Sequence, residues 1–500
     1  MSSTSAKRGR QPAVGGSLFW LVIIVAAYFI PRGVQANADS HLALTYAIVE
    51  HHTVRIDRYA PNLIDKAVYC GTNTNIATCH YYTDKAPGLS LFAAVVYVPL
   101  HAVLPNAFMP DGPKADRFLL RYLLTLFTIS LCCAIFAATF WQFLRRLVGK
   151  YPAMLVTIGY VFGSMALPFS MLLFSHALAA ALLFWAFMAL YRFRTSPARP
   201  LSLPFSAGLL AGFAIGCEYP TAIIAALLGI YLLAAAPSFS DAVQPAIRYA
   251  IGVVGGFAPT MVYSLVAFGS PLSQGYAHLT NQYYAKGMAH GVLGVGLPTL
   301  EALWGTSFSP FRGLFIISPW LLLAVPGLWW MRRTGFGLEA ALCAAIAISY
   351  FLFQAGYAFW DGGASVGPRH FLPALPFLSL PVAFVADRGR LGVLARYLIV
   401  LSATLMAMVI ATNPLLGDPH YVPGLFNPLI DQTLRDVMDG KWQNNWGMVF
   451  GLRGWVSLVP LAGVLLIMGR TLTQRLRQTC PAQIPDGIQM PGHDPVAPPI

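Results

Sequence analysis

Several short stretches of this chain carry residue types able to move protons or hold an anion. Residues 80–92 read HYYTDKAPGLSLF and set Asp84 beside Lys85, followed by a Pro-Gly pair and a long apolar run. Residues 367–373 read GPRHFLP, an Arg369-His370 pair bracketed by Pro368 and Pro373. Asp39 follows the first apolar run, and Glu218 sits in GCEYPTA between two others. A carboxylate so placed can accept a proton in a reaction. Arg grips a phosphate with two parallel hydrogen bonds, and Lys meets it as a point charge. Arg312, after Ser309-Pro310, is a further candidate to hold an anion.

What must position these residues is a membrane. The 500 residues are 57% hydrophobic and 10% charged, with mean hydropathy +0.62, whereas soluble chains carry about 25% charged residues. Apolar cores recur near 18–34, 117–141, 152–172, 174–191, 203–217, 219–236, 247–267, 314–331, 337–355, 371–386, 397–413 and 453–469. At ~20 residues per span, an all-α polytopic bundle of about 12 transmembrane helices is expected.

The net charge of +13 is not a nucleic-acid signal, because the cations form short clusters between the spans. These are Lys7-Arg8-Arg10, Arg145-Arg146-Lys150, Arg192-Arg194-Arg199, Arg332-Arg333, Arg388-Arg390-Arg396 and Arg470-Arg475-Arg477. The positive-inside rule assigns them to the cytoplasm, with both termini. Residues 1–17 then form a cytoplasmic N-terminus, 18–478 the membrane domain and 479–500 a Pro- and Gly-rich disordered tail. The outer loops are 35–116, 269–313, 356–370 and 414–452. Residues 88–105 are apolar enough to span, but a full crossing would move the next five clusters outside, so an interfacial or re-entrant helix is expected there. The first span has a second reading as a signal peptide cleaved near Val34-Gln35-Ala36; both readings leave residue 37 onward outside.

In the first outer loop, Leu42, Tyr46 and Val49 recur at helical spacing and predict a short amphipathic helix on the membrane surface, with Asp39 or Ser40 as its N-cap. Cys70 and Cys79 share that loop, where an oxidising compartment permits a disulfide. Neither cysteine spacing nor acid density implies a metal, and no cofactor is expected.

An Asp after the first span, an amphipathic helix and then an acid-Lys-Ala-Pro-Gly run resemble the bacterial protein O-mannosyltransferase and lipid A aminoarabinose transferase group. These are GT-C-fold membrane glycosyltransferases that use polyprenyl-phosphate sugars. The family's Asp-Glu pair corresponds to Asp39-Ser40, so the second acid is missing. Its Glu-Lys-Pro-Pro run corresponds to Asp84-Lys85-Ala86-Pro87, and a family-like Arg corresponds to Arg369. Segments 269–276 and 303–319 look like those of a bacterial branch of the group. The likeness covers most of the chain in layout, through short motifs.

The resemblance implies inverting transfer of a sugar from a polyprenyl-phosphate donor to a hydroxyl of a lipid, glycan or protein, on the outer face of a bacterial inner membrane. Asp39 is the expected base, with Asp84, Asp57 and Glu50 as alternatives. Lys85, Arg369 and His370 are expected at the donor phosphate, and Asp84, Glu218 and Arg312 are secondary candidates. Other readings stay open: Lys85 as a headgroup anchor, Arg369 as a salt-bridge partner of Asp361, and His176, Trp304 and Trp360 as packing residues. The rival functions are a transporter or flippase of lipid-linked sugars, an O-antigen polymerase or ligase, and a membrane scaffold. Cysteine introduced at Asp111 tests the topology. It should react with a membrane-impermeant reagent on intact cells, and reaction only after lysis would mean that 88–105 crosses the membrane.

Overall fold

The computed structural model describes residues 14–31, 35–71, 78–103, 118–417 and 426–478. The cluster Lys7-Arg8-Arg10, Val34, Asp111 and the 479–500 tail lie outside them. Helix dominates, and every one of the twelve apolar cores contains it. Among the described residues, six helices are long and apolar enough to cross a membrane: Phe118–Val148, Ser175–Thr195, Phe239–Phe268, Gly337–Gly356, Gly389–Thr412 and Gly454–Gln478. Val14–Tyr28, Gly88–Val103, Ser202–Cys217 and Tyr219–Ala234 are shorter apolar helices. Two other cores are broken where proline removes a backbone donor. Pro319–Leu323 runs into Ala324–Arg333, and Leu375–Ser379 into Leu380–Phe384.

The helix Ala36–His51 departs from the amphipathic surface helix expected of it. Residues 40–47 are buried without interruption, so no face is left for a membrane surface. Its polar side chains are satisfied inside the protein: His41 Nδ1 lies 3.0 Å from Ser90 Oγ, and Thr45 Oγ1 donates to His41 O and Ser90 O. Neither Asp39 nor Ser40 is the N-cap. Gln35 holds that position, and Asp39, one turn in, accepts its N–H at 3.3 Å. The following loop carries a small antiparallel hairpin, Ala67–Tyr69 against His80–Tyr82, closed just beyond by the Cys70–Cys79 disulfide.

Glycines let two helices meet backbone to backbone. Ser202–Cys217 and Phe239–Phe268 pack along their length, and a Cβ on Gly212 would lie 2.0 Å from Val253 O and one on Gly256 2.1 Å from Leu209 O. The opposite side of 239–268 exposes Ile247, Ile251, Val254, Val262 and Val266, an apolar face suited to lipid.

The ion pairs and basic clusters of the bundle lie at helix ends. Arg194, in the last turn of 175–195, pairs with Glu339 in the first turn of 337–356. Arg388 lies over the Trp330 ring beside Arg332 and Arg333, and Arg475 donates to Ser17 at the start of the first helix. The described basic clusters at these helix ends therefore share one end of the bundle. Ser175, Glu218 and Tyr357, at the opposite ends of their helices, gather at the other.

Gly212→Leu should force the paired helices apart and destabilise the protein by about 2–3 kcal/mol, as overpacking does. Thermal unfolding in detergent checks this against Gly463→Leu, where an added Cβ meets nothing within 4 Å.

Candidate functional site

At the end of the bundle away from the basic clusters lies a cavity with an empty volume of about 790 Å³, its open mouth included. One wall is the 84–85 motif. Lys85 Nζ is 2.9 Å from Asp84 Oδ2 and 2.9 Å from Asp65 Oδ2, so one ammonium is shared by two carboxylates. Burial opposes the charge on Lys85, yet the two acids outweigh it and raise its pKa well above the ordinary lysine value. Burial also pushes the Asp84 carboxyl upward, against Lys85. The other oxygen of Asp84 accepts from Ser40 Oγ at 3.0 Å, and Ser40 lies 2.8 Å from Thr83 Oγ1. At the position where the family pattern has a second acid, this chain thus keeps a hydroxyl that holds an acid. Gly275 lets its loop close on the motif: a Cβ there would stand 2.6 Å from Thr83 O, and the next residue, Tyr276, lines the cavity.

The second wall is built where two helices end and one begins. The 202–217 helix stops at Glu218, which is extended as Pro220 starts a new turn. Its carboxylate meets the N-terminus of the 175–195 helix, the end that favours negative charge. Ser175 Oγ donates to Glu218 Oε1 at 2.5 Å, and His176 Nδ1 lies 2.9 Å from the same oxygen, an ion-pair contact rather than an aligned hydrogen bond. Burial alone would raise the Glu218 pKa, but His176 and Ser175 more than offset it and hold it down at about 2. His176 Nε2 is 3.4 Å from His370 Nδ1. Burial, with Arg369 next to it, keeps the His370 pKa well below the usual range. His41 also lines the cavity, and burial pushes it down to about 3.

Arg369 supplies the cation on the rim. Its guanidinium lies 5.4 Å from the Phe174 ring centre, and Nε is buried with no acceptor among the described residues. No carboxylate is within ion-pair distance of it among them, so the salt bridge to Asp361 does not form. Asn37 Oδ1, also on the cavity wall, is likewise buried without a partner. Buried polar atoms are rarely left so, and together a donor and an acceptor on one wall suit a polar ligand. Tyr283, Tyr284, Tyr357 and Phe359 form an aromatic side to the same space.

Of the residues expected from sequence, Asp84, Lys85, Glu218, Arg369 and His370 come together on this cavity. Asp39 does not line it; its carboxylate faces Arg121 Nη1 at 3.3 Å, beside a smaller cavity lined by Gln35 and Arg121. Arg312 does not line it either. Its guanidinium donates to the carbonyls of Ser365, Gly363 and Gly417 and so fixes the rim segment that carries Arg369. Asp57 binds His80 and the Tyr81 N–H, and Glu50 accepts from Tyr97 and Tyr59, both apart from the cavity lining. Asp65 was missed, although an acid beside Lys66 in the same loop is visible in the sequence. His176, read as packing, is a wall residue. Its only sequence signal is a polar ring at the start of an apolar run.

No protein-family model matches this chain, and no curated protein sequence does. Among solved structures it is similar to ArnT from Cupriavidus metallidurans bound to undecaprenyl phosphate, at 14% identity and TM-score 0.48, over 93% of this chain and 73% of that one. It is also similar to the Archaeoglobus fulgidus oligosaccharyltransferase in its apo form, at 12% identity and TM-score 0.43, covering 81% of this chain. A third likeness is to the archaeal oligosaccharyltransferase AglB from Archaeoglobus fulgidus in complex with an inhibitory peptide and a dolichol-phosphate, at 12% identity and TM-score 0.45, covering 84% of this chain. The chain spans 55% and 56% of the length of those two oligosaccharyltransferase chains.

Proposed function

We propose that this protein is a membrane glycosyltransferase that moves a sugar from a polyprenyl-phosphate donor to an acceptor hydroxyl, on the outer face of a bacterial inner membrane. The observation that carries the reading is Arg369: a cation on a polar cavity at the bundle's end, its buried Nε without an acceptor among the described residues. A leaving phosphate supplies the missing acceptors, and its developing charge is stabilised by a donor already in place. Lys85 is a weaker phosphate ligand than its sequence context suggests, because Asp65 and Asp84 already outnumber its charge. It keeps the third of its three N–H donors for a ligand.

Two arrangements support this reading over its rivals. Ion transporters place ionisable groups at the membrane midplane on broken helices. Here Ser175, Glu218 and Tyr357 lie at helix ends, opposite the basic clusters. That polarity, with the positive-inside rule, supports an outward-facing cavity. Against a scaffold stands the cost of burying uncompensated polar atoms where packing alone would suffice.

Purified protein incubated with labelled polyprenyl-phosphate sugars tests the proposal by transfer or hydrolysis. Arg369→Ala should weaken donor binding by about 1.5–3 kcal/mol, the worth of a hydrogen bond to a charged group, and Arg369→Lys should recover only part of it. Unchanged donor binding by Arg369→Ala would remove the phosphate grip. Asp39→Asn separates the resemblance from the geometry. With the base on the cavity wall, this variant retains transfer within a few-fold; loss of transfer with the fold intact returns the base to Asp39.

A further inference from the structure

We propose that His370, His176 and Glu218 form a relay that takes the proton of the acceptor hydroxyl, with His370 Nε2 as its entry point. The inference rests on the sugar-transfer reading and names the proton's path within it. Three contacts define the line: Ser175 Oγ to Glu218 Oε1 at 2.5 Å, His176 Nδ1 to the same oxygen at 2.9 Å, and His176 Nε2 to His370 Nδ1 at 3.4 Å. All four residues border the cavity.

The relay requires one set of tautomers. A Glu218 carboxylate calls for the proton of neutral His176 on Nδ1, which leaves Nε2 as an acceptor. His370 Nδ1 must then carry the hydrogen that faces it, and the lone pair of His370 is left on Nε2. Both oxygens of Asp84 are engaged, by Ser40 and Lys85. Asp361 borders the cavity as well, and it is the competing acceptor.

The step balances without a further reactant. The acceptor oxygen attacks the anomeric carbon as the carbon–oxygen bond to phosphate breaks, and that electron pair leaves with the polyprenyl phosphate, whose added charge falls on Arg369. The hydroxyl proton passes to His370 Nε2. His370 Nδ1–H passes to His176 Nε2, and the positive charge comes to rest beside Glu218. Arg369 also sets the order of events. Its charge adjoins His370 and opposes protonation of the ring, and a bound phosphate cancels that charge. The relay therefore gains proton affinity only once donor is present.

The test uses the full-length protein with labelled polyprenyl-phosphate sugar, donor retention and transfer being measured separately. His370→Ala and Glu218→Gln should bind donor within about threefold of wild type, and transfer by His370→Ala should fall by about 10²–10⁴-fold, the range for general-base loss. Azide has no proton to surrender, so it should restore turnover of His370→Ala as a glycosyl azide; a merely structural role of His370 gives no such rescue. Wild-type transfer by His370→Ala overturns the relay. So does azide rescue of Asp361→Asn without rescue of His370→Ala, which assigns the proton to Asp361. If the wild-type protein itself retains no donor, the lipid-phosphate reading fails, and the relay with it.

Discussion

The structure around the cavity depends on one ammonium shared between two acids. Lys85 draws Asp65 from just before the hairpin and Asp84 from its own motif to 2.9 Å each, and Asp84 in turn engages Ser40 of the 36–51 helix. Three segments far apart in the chain are thereby fixed to one another. Removing Lys85 from this buried set leaves its acids uncompensated, at a cost of about 3–5 kcal/mol. The hairpin, its disulfide and the close approach at Gly275 all surround this knot.

How much of this was legible in sequence follows from the range of the forces involved. The apolar cores mark helices because lipid permits few other backbones, and a Cys70–Cys79 bond was legible only as permitted, from the loop that the two share on an outward-facing reading. The position of Asp39 was not. Its site beyond the first span is a local fact, but the direction of its carboxylate is set by Arg121, 82 residues away. The 36–51 helix misled for a similar reason. Its spacing has an apolar face, yet its polar face is covered by the 88–103 helix, and no periodicity reports a partner. Arg312 looked like an anion ligand because a carbonyl-clamping arginine and a phosphate-gripping one are identical in sequence.

The family pattern and this chain differ most usefully at Ser40. A missing carboxylate there reads in sequence as a lost function, whereas in three dimensions the Ser40 hydroxyl holds Asp84, itself the counterpart of the acid in the family's Lys-containing run. His176 teaches the converse: its context is unremarkable, and its meaning arises only where one helix ends at Glu218 against the start of its own.

The Arg312 clamp has a mechanical consequence. Because one guanidinium gathers the carbonyls of Gly363, Ser365 and Gly417, the rim beneath Arg369 is cross-braced and cannot bend residue by residue. Across the cavity, the short helix Gln282–Met288 that bears Tyr283 and Tyr284 has no buried residue. One side of the chamber is thus braced through the backbone by a single arginine, whereas the other is held by ring contacts, Tyr283 and Tyr284 against Phe359.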